Sequence, residues 1–186
     1  DTFRPIQSDF RKKYQIENKF IILGVASSWA PRKGLDVFVK LAEDLPEEYQ
    51  IVIVGIDERE KNKLPETIIS ITRTNNQKEL AEIYSVADVF VNPTREENFP
   101  TTNIEALACG TGVITYRTGG SPEIIDQETG VVVEKDNYDE LKQAIFKVKK
   151  DGTFSKEKCR NRSMKYSRDE RYKEYVELFE SILEGR

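Results

Sequence analysis

Six short apolar runs, each followed by turn residues and most of them then by a stretch of helical spacing, constrain the fold of this chain more than any other property. FIILGVA (20–26), QIVIVG (50–55), TIISIT (67–72), ADVFVNPT (87–94), GVITYR (112–117) and GVVVEK (130–135) read as strands. LDVFVKLAEDL (35–45), QKELAEIYSVA (77–87), NIEALACG (103–110) and SPEII (121–125) read as helices, and three more are expected over 136–151, 155–166 and 169–184. Strands that are apolar nearly throughout are buried on both faces. The alternation therefore predicts an α/β fold: a Rossmann-like parallel sheet of about six strands with helices on both faces. Residues 1–19, polar and carrying the basic cluster Arg11, Lys12 and Lys13, read as an irregular lead-in, and 20–186 as a single domain.

In such sheets ligands bind beyond the carboxyl ends of the strands. The loops at 26–34, 55–57, 72–76, 93–102 and 117–121 are expected to share that rim. With no histidine in the chain, acid–base work falls to carboxylates, Lys, Tyr or water, and the commonest metal ligand is missing. A net charge of −4 gives no sign of a nucleic-acid surface. Cys109 and Cys159 form no C-x-x-C pair and read as space-filling core thiols. The longest apolar run is about a third of a membrane span, and no leader-like segment is read, so a cytosolic setting is expected.

The rim loops carry the chemistry. In WAPRKG (29–34), Arg32 and Lys33 stand at a helix start, where two cations oppose the helix dipole unless an anion joins them. In ENFPTTNIEALACG (97–110), Thr101 or Thr102 is a suitable N-cap, and Thr102 to Glu105 matches a capping box in which Glu105 bonds back to the N-cap amide. Glu105 is thus shared between capping and a ligand, whereas Glu97, in the loop, has no local structural role. In TGGSPE (118–123), Ser121 reads as an N-cap with Pro122 at the first helical position, and Gly119 and Gly120 would admit a ligand close to the backbone. CGTGVIT (109–115) lacks a third glycine and runs helix to strand, which excludes a dinucleotide fingerprint.

Together, Glu97 to Gly110 in the form E-x7-E and Gly119-Gly120-Ser121-Pro122-Glu123 at the following turn resemble the family 4 type of retaining glycosyltransferases with the two-domain GT-B fold. The resemblance implies the C-terminal, donor-binding half of such an enzyme, with 1–19 as an interdomain hinge and the N-terminal acceptor domain absent. It places Glu97 at the donor sugar and Lys33 at the diphosphate as the catalytic pair. Phe99, Pro100, Thr101 and Thr102 would face sugar and diphosphate with their amides, joined by Arg32, Gly119 and Gly120. Glu105 would hold the ribose hydroxyls, and backbone near Thr72 and Arg73 the base. The donor would be a UDP-, GDP- or ADP-sugar, with no metal or other cofactor. The acceptor would be a glycan or lipid-linked glycan bound through the other domain, in an enzyme at the inner face of a membrane. Ser28 stands where the family carries a second cation, so Arg32 or Arg95 would have to substitute. A non-catalytic nucleotide-sugar-binding module and a nucleotide-sugar epimerase are the alternatives, the latter disfavoured by the lack of histidine.

Overall fold

The computed structural model describes residues 2–184; Asp1, which the expected hinge includes, and residues 185 and 186 of the expected domain lie outside them. Six strands form one sheet: β1 (Phe20–Val25), β2 (Tyr49–Val54), β3 (Ile69–Ile71), β4 (Val89–Asn92), β5 (Val113–Tyr116) and β6 (Gly130–Val133). Their order is β3-β2-β1-β4-β5-β6 and every neighbouring pair is parallel. This is the doubly wound order, and its reversal between β1 and β4 opens a crevice at their carboxyl ends.

Period-two alternation sorts the strand side chains between two cores. Ile22, Ile51, Val91 and Ile114 meet Phe38 and Leu41 of α2 (Leu35–Asp44) and Leu141, Ile145 and Val148 of α7 (Tyr138–Asp151). On the opposite face Leu23, Val52, Phe90 and Val113 meet Ala81 and Tyr84 of α4 (Gln77–Val86), Ala106 and Leu107 of α5 (Thr101–Ala108) and Cys159 of α8 (Lys156–Met164). Both cysteines are buried and free, and burial pushes each thiol up to about 12, which suits a packing role.

The lead-in is not irregular. It holds a helical turn, α1 (Phe10–Lys13), and Phe10 and Ile16 reach the second core. Arg11 donates to the carbonyls of Lys19 and Val86, each at 2.7 Å, and to Asp88 at 2.7 Å, while the Ile6 amide donates to Ser85 Oγ. Two further short helices, α3 (Glu58–Lys61) and α6 (Ser121–Ile124), sit in rim connections. The last helix, α9 (Arg168–Glu184), buries no side chain; Tyr172, Tyr175, Val176, Phe179, Ile182 and Leu183 form an exposed stripe along it. No described helix is long and apolar enough to cross a membrane.

Candidate functional site

The loops after β1 and β4 are fastened to each other. The Arg95 amide donates to the Arg32 carbonyl at 2.8 Å, and Arg32 Nη1 donates to the Glu96 carbonyl at 3.1 Å. Gly34 follows a single 3₁₀ turn (Pro31–Lys33) at φ +75°, and a Cβ there would lie 2.6 Å from the Pro93 carbonyl oxygen, so only glycine permits the approach. Trp29 anchors the other end by donating its indole N–H to Val54 O at 3.1 Å. This seam brings Lys33 to Glu97: Nζ stands 2.8 Å from Oε2, with side-chain exposures of 22% and 14%. The second carboxylate oxygen of Glu97 accepts the Asn98 amide at 3.1 Å.

The helix α5 opens two residues before the expected start at 103. Pro100 is its N-cap, Thr101 already lies in the first turn, and no side chain caps it. The capping-box role of Glu105 is thereby overturned: its carboxylate turns to the second core and accepts the Tyr84 hydroxyl at 3.2 Å. Burial lifts the Glu105 carboxyl above the usual range, opposed by that hydrogen bond. Burial, together with the Glu105 charge, raises the fully enclosed Tyr84 phenol well above its ordinary value. The Asn103 amide turns back to Pro100 O at 3.1 Å, so the uncapped end of α5 offers the Thr101 and Thr102 amides as donors between Glu97 and Glu105.

A cleft of about 700 Å³ lies over the carboxyl ends of β1 to β4. Lys33, Glu97, Phe99, Pro100, Thr101, Thr102, Glu105, Thr72 and Arg73 all line it. Ser27 and Gly55, in two of the expected rim loops, line it too, as do Leu80 and Asn92, which escaped the sequence reading. Arg32, Gly119 and Arg95 lie instead around an adjoining cleft of about 540 Å³ over the far end of the sheet, with Glu97 on the wall between the two. Neither arginine considered as a replacement at Ser28 lines the first cleft, and Ser28 itself is exposed outside it. Arg95 is held by Asp36 at 2.7 Å and Asp136 at 2.6 Å, and its guanidinium keeps the Asp36 carboxyl below the usual range.

The glycine pair serves the protein's own packing. A Cβ on Gly119 would collide with the Glu97 carbonyl, and one on Gly120 with the Phe99 ring, while the Gly120 amide donates to Asn98 O at 2.6 Å. The turn thus seats the 97–99 loop. Ser121 is already helical, with Gly120 as the N-cap. Beneath this loop runs a buried polar ladder that the sequence reading missed: Asn92 donates to Asn103 at 2.8 Å, Thr94 to Asn92 at 2.5 Å and Thr118 to the Thr94 carbonyl at 2.8 Å. Its only sequence signal is Asn92 closing an otherwise apolar strand. Among the described residues no group of three or more Cys, Asp or Glu could hold a metal ion.

The model of the family described as glycosyl transferases group 1 matches residues 6–170. Among curated relatives, alpha-galactosylglucosyldiacylglycerol synthase of Streptococcus pneumoniae is 27% identical over 189 residues, covering 88% of this chain and 46% of its own. D-inositol 3-phosphate glycosyltransferase of Mycobacteroides abscessus is 30% identical over 141 residues, covering 68% and 32%. The chain thus spans about half or less of the length of these relatives. Among solved structures, sucrose-phosphate synthase from Thermosynechococcus elongatus superposes with a TM-score of 0.80 at 23% identity, over 100% of this chain and 51% of that one. Anabaena HepE in complex with UDP-glucose does so with a TM-score of 0.74 at 17% identity, over 88% and 49%. The sheet is a Rossmann-like half of the GT-B fold, and the chain belongs to the glycosyl transferases group 1 family.

Proposed function

We propose that this chain is the donor-binding part of a retaining glycosyltransferase that moves a sugar from a nucleoside diphosphate to a glycan or lipid-linked acceptor. One observation carries the reading: the uncapped start of α5 lies between two carboxylates of different character on one cleft. Glu97, at the ion-paired end, takes the sugar hydroxyls; Glu105, at the buried end, takes the ribose hydroxyls. Lys33 and the α5 amides receive the diphosphate and stabilise it as the leaving group without a metal. The base lies by Thr72 and Arg73, where β3 ends. No protein nucleophile is needed, since attack from the face of the departing diphosphate retains configuration. Acceptor recognition falls to the part of the protein outside this chain, so the chain alone binds nucleotide and transfers little.

The absence of a second diphosphate-facing arginine at position 28 favours a second reading, a binding module that turns nothing over. Assaying transfer and donor hydrolysis by the full-length protein separates the two. The nucleotide itself is identified by thermal shift with millimolar UDP, GDP and ADP and their sugars. Glu97→Ala is expected to erase the preference for the sugar-linked over the bare nucleotide. An unchanged preference would refute the role given to Glu97.

A further inference from the structure

Each oxygen of the carboxylate proposed to meet the sugar has a protein partner. Glu97 Oε2 pairs with Lys33 at 2.8 Å and Oε1 accepts the Asn98 amide at 3.1 Å. Lys33, among the described residues the only lysine lining the proposed donor cleft, is likewise paired. The backbone around the pair is tied: the Lys33 amide is held by Ala30 O at 2.8 Å, Gly34 abuts Pro93, and Arg95 N joins the two loops at Arg32 O. The two side chains, by contrast, reach each other across 64 residues and are joined only through their tips on the cleft wall.

We propose that the Lys33–Glu97 ion pair is a latch opened by the diphosphate, and that opening it makes the protein selective for nucleotides that carry a sugar. The inference rests on the donor reading. A diphosphate carries more negative charge than one carboxylate and draws Lys33 across the cleft by rotation of its side chain. Glu97 is then a partly enclosed carboxylate without its cation. A bare nucleoside diphosphate leaves it so, at a cost to binding. A sugar-linked one offers hydroxyl donors and satisfies it. Discrimination comes from a partner withdrawn and replaced, in addition to any contact made directly with the sugar.

The test is a double-mutant cycle on this chain, read by titration calorimetry with the tightest of UDP, GDP and ADP and its glucose- or mannose-linked form. The proteins are wild type, Glu97→Gln, Lys33→Met and the double variant, each checked for folding by circular dichroism. Because Glu97→Gln removes the pair that the diphosphate must break, it is expected to tighten the bare nucleotide by about two- to fivefold, the upper span of a partly exposed ion pair. It should leave the sugar-linked nucleotide no tighter than wild type. In the Lys33→Met background the gain for the bare nucleotide should vanish. A gain that persists there marks plain repulsion between Glu97 and phosphate and overturns the latch. So does bare-nucleotide affinity that is unchanged or weakened in Glu97→Gln. If none of the four folded proteins binds any nucleotide, the donor reading falls, and the latch with it.

Discussion

Replacing Glu105 by Gln is expected to make the empty protein more stable while making it a worse nucleotide binder. Glu105 is desolvated, and its compensation within the protein is slight: the Tyr84 hydroxyl stands 3.2 Å away, beyond the ordinary O–H···O range. Burial therefore raises the carboxyl above its reference value of 4.5. A carboxyl raised in the folded state favours the protonated form there. Its contribution to stability is complete below the unfolded pKa and is lost as pH climbs from about 4.5 through the folded value. Gln keeps an oxygen for Tyr84 without the charge, so chemical denaturation at pH 8 should show a gain of about 1 kcal/mol, with a flatter stability–pH curve.

Binding should move the other way. A hydroxyl bonded to a charged acceptor is worth about 1 kcal/mol more than one bonded to a neutral acceptor. Two ribose hydroxyls then give about 2 kcal/mol, roughly a 30-fold rise in Kd. Calorimetry with the ribonucleotide and its dideoxy analogue reads this directly. Equal affinity of wild type and variant for the ribonucleotide would refute the ribose assignment. So would an undiminished penalty for the dideoxy analogue in the variant.

Two further substitutions probe the scaffold under the site. Gly119→Ala places a Cβ at φ +49° against the Glu97 carbonyl, and should lower stability by about 2 kcal/mol and weaken sugar-linked nucleotides more than bare ones; thermal melts and titrations check both. Asn92→Leu cuts the ladder at its centre and leaves Asn103 and Thr94 buried without their partner, a loss of about 2–5 kcal/mol to be read by urea unfolding.

The sheet was legible because the four central strands are buried on both faces, and continuous apolar runs such as FIILGVA have no other inexpensive place. The rim was legible as chemistry for a different reason: the sequence shows no local role for Glu97, and Lys33 beside Arg32 opposes a helix dipole, so they stood out. Local rules erred where long-range packing decides. Thr102 and Glu105 satisfy the capping-box pattern, yet α5 begins at Thr101, and the Glu105 carboxylate swings to Tyr84, 21 residues earlier. Phe10 and Ile16 looked isolated in a polar lead-in because the surface that covers them belongs to the second core. Gly119 and Gly120 signalled a close approach correctly, but what approaches is the carbonyl of Glu97 and the ring of Phe99. The Asn92 ladder left almost no trace, since a single Asn at a strand end is also what a turn requires.

The seam between the loops after β1 and β4 also governs how the molecule receives its ligand. With Arg95 N on Arg32 O and Gly34 seated on Pro93, the backbone under the proposed diphosphate site is tied from both loops. On the donor reading, a backbone tied in this way spends little ordering entropy on the main chain when the nucleotide binds. In practical terms, crystals grown empty should accept a soaked nucleotide without cracking, provided the mouth of the cleft stays clear of the lattice.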